Sequence, residues 1–207
     1  LSLWMSIRSQ KRSLRSYGFS AWRAGKRQFS FGLLLGIGAL ALVLGLYLAS
    51  GVCHIDLTDD RVKLWRTVLG FIPAAVVVSV LEESVFRGFL LQQVLTYSRP
   101  LALILSSALY AVVHLKHSQL TLMTWLELGG LFLLGNLLAL TFLLTHQLYL
   151  AVGLHAALAY VARVNKLFVS FPDQSISWLV GTSRLINGIV SWVILLGLGG
   201  IVIWWAR

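Results

Sequence analysis

The sequence predicts an all-α fold, a polytopic transmembrane helix bundle of about six spans. Three observations carry that prediction. Of 207 residues, 58% are hydrophobic and only 12% are charged, against about 25% charged in ordinary soluble domains. Mean hydropathy is +0.83. The apolar residues also gather into runs approaching the roughly 20 residues that a membrane helix requires. Every backbone polar group in lipid must be satisfied internally, and helices are the reading these runs support.

Seven of the 17 basic residues lie between Arg8 and Arg27, with no acid among them. The net charge of +10 is therefore concentrated ahead of the first apolar run. Such a distribution suits a flank at an anionic lipid surface rather than a nucleic-acid-binding face. Residues 1–30 read as a retained cytoplasmic or interfacial flank, since no small-residue cleavage pattern follows the apolar part. Residues 31–206 read as a single transmembrane bundle. The one cysteine, Cys53, excludes an intrachain disulfide.

The spans follow in order. Phe31–Val52 is the first, rich in Gly and Leu. A polar loop, Cys53–Arg66, leads to the second, Thr67–Tyr97, where Pro73 either kinks the helix or marks its start. Ser98–Pro100 forms a turn, with Pro100 placed as a first helical residue, and Leu101–Leu115 is a short third span. Lys116–Leu120 turns the chain into the fourth, Thr121–Leu144. His146 and Gln147 separate it from the fifth, Leu148–Ala162. A polar loop, Arg163–Arg184, precedes a clean sixth span, Leu185–Ala206. Six spans put both termini on one side, the cytoplasmic side if the basic N-terminus decides.

The stretch LEESVFRGFL, residues 81–90, breaks the apolar character of the second span. The chain has three glutamates, and Glu82 and Glu83 are neighbours there, with Arg87 close behind. A charged residue at mid-bilayer costs about 2.5–3.5 kcal/mol on insertion scales, so this triplet demands pairing, water or both. Glu83 and Arg87 stand i,i+4 with the acid first, the favourable order for a pair. Glu82 lies about 100° round the helix and is left over. A surplus carboxylate in a low-dielectric site can take and give protons. The motif thus supports either a general base at Glu82 beside a structural pair, or an interhelical polar clamp without chemistry.

Histidines favour the first reading. His114 ends the third span in LYAVVHL, with Tyr110 one turn earlier on the same face. His155 sits within the fifth in AVGLHAALAY, between Ala151 and Ala159. Two such histidines and a surplus glutamate can converge on one cavity, where Glu and His activate a water and the second His stabilises an oxyanion. Glu82, His114 and His155 also have the ligand chemistry of zinc; nothing in the spacing requires a metal, and no cofactor is expected as a requirement. His54, His117 and His146 read as solvated loop-edge residues, and Glu127 as a residue at the membrane interface.

These stretches resemble the motifs of the CAAX prenyl protease and bacteriocin-processing (CPBP) family of intramembrane endopeptidases. EESVFRG is similar to its EExxxR motif, YAVVH to FxxxH with tyrosine for phenylalanine, and HAALA occupies the place of HxxxN. The likeness covers about residues 70–162. It implies a glutamate-type mechanism in which Glu82 and His114 activate the attacking water. Glu83 and Arg87 would hold the site with Tyr110 in support, and His155 would help stabilise the oxyanion. Ala159 departs from the pattern by replacing the asparagine; loss of one oxyanion donor costs about 10²–10³ in rate. Asn136 and Asn165 are the substitutes available elsewhere. Alternatively, Ala159 belongs with Ala151 and Ala162 to a small-residue face that draws helices together.

The expected function is hydrolysis of a peptide bond in a membrane-anchored or lipid-modified protein or peptide, in a bacterial plasma membrane. The partners are membrane lipid and that substrate, with no nucleic acid. The alternative is an inactive relative serving as an immunity, scaffold or chaperone-like protein, a reading that Ala159 favours. A proton-relay transporter accounts for an intramembrane carboxylate but not for the ordered trio of motifs, and no inverted repeat supports it.

Overall fold

The computed structural model describes residues 14–56, 59–115, 119–173, 175–182 and 185–207. It is an all-α bundle. A 3₁₀ turn, Leu14–Tyr17, leads into α1 (Trp22–Ala49). Next come α2 (Arg61–Glu83), a π-helical segment (Ser84–Leu91) and a last α turn, α3 (Gln92–Leu95), together one continuous rod. The remaining helices are α4 (Arg99–His114), α5 (Leu122–Thr145), α6 (Tyr149–Asn165), the single turn α7 (Ser177–Val180) and α8 (Ile189–Trp205). Three rods, Arg15–Ala49, Arg61–Leu95 and Leu122–Thr145, are long and apolar enough to cross a membrane, and Arg99–His114 and Ile189–Trp205 are shorter apolar helices.

The first two helices begin earlier than hydropathy suggests, and the last begins later. The first starts at Trp22 rather than Phe31, because Arg23, Lys26 and Arg27 are compatible with helix and their long side chains can reach past its apolar end. The described part of the basic segment, around Gly18 and Ser20, is docked on the bundle. Leu148 N–H donates to the Gly18 carbonyl, Ser20 Oγ to Gln147 and Tyr149 Oη to the Ser20 carbonyl, tying the start of α1 to the α5–α6 turn. The second starts at Arg61 rather than Thr67, because Asp60 accepts the Lys63 N–H at 2.9 Å as an N-cap, a bond of about 1 kcal/mol. Pro73 lies inside α2 and does not mark its start. The sixth span begins at Ile189, after Leu185 adopts a left-handed conformation. Pro100 does sit in the first turn of α4, behind the Ser98 cap.

A two-stranded antiparallel ladder was not foreseen: β1 (His54–Ile55) pairs with β2 (Val169–Ser170). It joins the α1–α2 connection to the α6–α7 connection at one end of the bundle. Cys53, Tyr47, Val169 and Val180 are buried together there, and Tyr47 Oη donates to the Val180 carbonyl at 3.0 Å.

Helix α1 packs most extensively on α6, and glycines set the distance. A Cβ on Gly32 would strike the Leu150 carbonyl, one on Gly153 the Phe29 carbonyl, and one on Gly36 would stand 2.7 Å from the Ala157 Cβ. Small residues thus allow the backbones to approach, as in membrane helix pairs generally. The alanine in this interface is Ala157; Ala159 and Ala162 face a cavity instead. On the other side of α1, Leu34, Leu42 and Leu46 are exposed, and Gly38 and Gly45 have open space around them. Gly153→Val should therefore push α1 off α6 and cost about 1–3 kcal/mol, lowering the unfolding temperature in detergent. Gly45→Ala should leave that temperature unchanged, and equal effects from the two would contradict this packing.

Candidate active site

Glu83 and Arg87 form the base of the site. Both side chains are fully buried, and Arg87 Nη1 donates to Glu83 Oε1 at 3.0 Å, the i,i+4 pair that the spacing predicts. Arg87 Nη2 donates to the Gly135 carbonyl at 2.9 Å. That carbonyl is within reach because α4 and α5 are in close contact at this point: a Cβ on Gly135 would stand 2.9 Å from Ser107 Cα. The guanidinium also lies 4.7 Å from the centre of the Tyr110 ring, a cation–π contact. One arginine thereby joins α2, α4 and α5.

The π-helical turn begins immediately after the two glutamates. Such turns displace the register of the helix and recur at functional sites. Here it carries Arg87 and Gly88, both buried, and the Phe86 carbonyl accepts from Ser106 Oγ on α4 at 3.3 Å. Nothing in LEESVFRGFL distinguishes this turn from ordinary helix, so the sequence carried no signal for it.

Glu82 lies on the other side of the rod, about a quarter exposed, and is met by both histidines. His114 Nε2 is 3.0 Å from Glu82 Oε2, and His155 Nε2 is 3.6 Å from the same oxygen. Neither contact uses Oε1. The remaining ring nitrogens are held from behind: His114 Nδ1 lies 2.8 Å from the Tyr110 carbonyl, and His155 Nδ1 lies 2.8 Å from Glu83 Oε1. A carbonyl can only accept, so His114 carries its proton on Nδ1; the Glu83 carboxylate, already accepting from Arg87, likewise takes the Nδ1–H of His155. The three residues on α2, α4 and α6 thus converge, and Tyr110 stands beside them with Oη 3.5 Å from His155 Nε2.

The Glu82–His114 distance fixes a proton. Two lone pairs cannot face each other at 3.0 Å without a hydrogen between them. The pair therefore holds one proton, as carboxylate and imidazolium or as carboxylic acid and imidazole. With that proton, two carboxylates are balanced by one guanidinium and one shared positive charge. The cluster is neutral overall, the condition under which ionisable groups can be buried at modest cost.

A cavity of about 280 Å³ opens beside this cluster. Tyr110, His114 and His155 form its polar wall, and Ala159 lines it one turn beyond His155. Mostly apolar residues of α1, α5, α6 and α8 supply the remaining surface. Asn136 and Asn165 are absent from this lining; Asn136 Nδ2 donates to its own helix at the Phe132 carbonyl. Glu127 is buried and faces a separate recess with Thr121, Thr124 and Asn187. His54 and His146 are exposed, as expected for loop edges, while His117 lies outside the described residues. Among the described residues, no group of three His, Cys, Asp or Glu side chains has an arrangement that could hold a metal ion.

The buried pair gives a direct stability prediction. Arg87→Met leaves the Glu83 carboxylate without its counter-charge and should cost about 3–5 kcal/mol. Arg87→Lys retains charge but lacks the fork that reaches Glu83 and Gly135 together, so its loss should be smaller. Thermal unfolding in detergent ranks the two, and wild-type stability in Arg87→Met would contradict the assignment.

Comparison with known proteins gives one family-level match. No curated protein and no solved structure gave a match. A protein-family model, described as type II CAAX prenyl endopeptidase Rce1-like, matches residues 64–161. The matched segment runs from α2 to α6 and contains the six residues of the cluster, Glu82, Glu83, Arg87, Tyr110, His114 and His155. Together with the apolar rods, the match makes the chain an integral membrane protein of protease type. The segment that carries the site thus matches the model of the Rce1-like CAAX endopeptidases, consistent with the CPBP resemblance of its motifs.

Proposed function

We propose that the chain is an intramembrane endopeptidase that hydrolyses its substrate with water activated by Glu82 and His114. The observation that carries this reading is the convergence of His114 and His155 on Glu82 Oε2, which leaves Oε1 for a water. In the attack step, Glu82 removes a proton from water as its oxygen bonds to the substrate carbonyl carbon. His114, bound to Oε2, balances the charge of the carboxylate. When the tetrahedral intermediate collapses, the C–N bond breaks and the proton held by Glu82 passes to the departing nitrogen. Water has then been divided between a new carboxyl group and a new amine. His155 is supported from behind by Glu83 and stabilises the oxyanion when Nε2 is protonated.

The apolar walls of the cavity suit a substrate held at the membrane, a membrane-anchored or lipid-modified protein or peptide. The family description names CAAX prenyl endopeptidases, and a prenylated chain end fits such walls. No metal takes part in these steps. We place the protein in a bacterial plasma membrane with its basic N-terminal segment cytoplasmic, since seven basic residues precede Phe31. An inactive, partner-binding relative is the competing reading, and Ala159 is the residue that favours it.

The two readings separate on simple variants in proteoliposomes. Glu82→Gln and His114→Ala should each lower cleavage of internally quenched peptides, farnesylated and unmodified, by about 10³-fold or more, while membrane insertion is unchanged. Cleavage at the normal rate in either variant would rule out the mechanism. A zinc chelator should leave turnover unaffected, and its abolition by chelation, with recovery on adding zinc, would move Glu82, His114 and His155 to the role of ligands.

A further inference from the structure

Ala159 leaves the site without the amide donor that its motif position would supply, and the neutral form of His155 cannot replace it. The only N–H of neutral His155 is committed to Glu83 at 2.8 Å, so its Nε2 presents a lone pair. An oxyanion next to that lone pair would be repelled. A donor is needed that belongs to the same cavity wall and is not consumed elsewhere.

Tyr110 supplies one. It stands where the related motif has phenylalanine, so its hydroxyl is an addition of this chain. The side chain is buried at 2% exposure and lines the cavity together with His155 and Ala159. Among the described residues the hydroxyl has one hydrogen-bond contact, the long one to His155 Nε2 at 3.5 Å, which is cheap to exchange for a charged acceptor. The Tyr110 ring is held by two neighbours: Phe86 packs edge-on at 5.2 Å and the Arg87 guanidinium lies 4.7 Å from the ring centre. A cation over the ring draws electron density from the phenol and strengthens its O–H as a donor. A preorganised, desolvated donor of this kind is what stabilises developing charge most effectively.

Building on the endopeptidase reading, we infer that the Tyr110 hydroxyl is the oxyanion donor of this site, standing in for the side-chain amide that Ala159 has removed. The hydroxyl donates a hydrogen bond to the substrate carbonyl oxygen as that oxygen gains charge, and it keeps its proton throughout. The absent amide and the added hydroxyl are then one compensated exchange across a single cavity: Ala159 leaves room one turn beyond His155, and Tyr110 reaches toward the same histidine from α4.

The test uses the full-length protein in proteoliposomes with internally quenched peptides, farnesylated and unmodified. Tyr110→Phe removes only the hydroxyl and keeps the ring on Arg87, so the fold should persist. It should lower kcat by about 10²–10³ with little change in KM. Adding Ala159→Asn to Tyr110→Phe should restore at least a tenth of the lost rate by returning an amide to the cavity. A Tyr110→Phe enzyme as fast as the unaltered one, while Glu82→Gln is inactive, overturns this inference and leaves the proposed function standing. A slow Tyr110→Phe enzyme that Ala159→Asn fails to rescue assigns the hydroxyl to positioning His155 and overturns the donor role. Absence of cleavage by the unaltered protein overturns both readings.

Discussion

A carboxylate and a guanidinium buried completely in an apolar bundle are tenable only as partners, and the rest of the site is arranged around that constraint. Glu83 and Arg87 meet at 3.0 Å, but the pair alone would leave donors and acceptors unused on both sides. Arg87 therefore extends to the Gly135 carbonyl, and Glu83 takes the N–H of His155 on the same oxygen that binds Arg87, while Glu83 Oε2 and Arg87 Nε find no hydrogen-bond partner among the described residues. These bonds link α2, α5 and α6 through one charge pair, and the Tyr110 ring against the guanidinium adds α4. The histidine thereby acquires a fixed orientation from a group whose first duty is electrostatic.

Glu82 differs from its neighbour through a single residue of helical rotation. Glu83 faces the bundle interior and is neutralised; Glu82 is partly exposed and meets two histidines edge to edge. Two chemically identical side chains thus acquire different environments, one closed by a permanent cation and one holding a mobile proton. The histidines that these glutamates hold form the polar wall of the cavity with Tyr110, and mostly apolar residues of α1, α5, α6 and α8 enclose the rest. A small polar face in an apolar chamber excludes most competing water and strengthens the interactions that remain.

Much of this arrangement was legible in the sequence because it depends on local spacing or on chemical expense. The Glu83–Arg87 pair follows from i,i+4 geometry whatever the fold, and the cost of charge in lipid singled out Glu82. The helical nature of the runs followed from hydropathy. The union of Glu82, His114 and His155 was suggested by their chemistry and sharpened by the motif resemblance, since it depends on how three distant helices pack. Other features had no local signal. The π turn at Ser84–Leu91 is set by packing on α4, the Gly135 carbonyl acts through backbone rather than side chain, and the β1–β2 ladder joins segments more than a hundred residues apart. Helix starts were missed where basic residues at Arg23 and Arg61 lowered the hydropathy without opposing helix. Ala159 was open to two readings, and only the packing partner of Gly36, which is Ala157, separates them.

The central claim is that one proton is held between Glu82 and His114 while His155 is tied to Glu83. Nitrogen-15 NMR of histidine-labelled protein in lipid nanodiscs reads this directly, ring nitrogen by ring nitrogen. The account predicts a protonated Nδ1 on both His114 and His155, and an Nε2 resonance of His114 that shifts strongly in Glu82→Gln while the Nδ1 signal of His155 stays in place. A His114 spectrum indifferent to Glu82→Gln would contradict it.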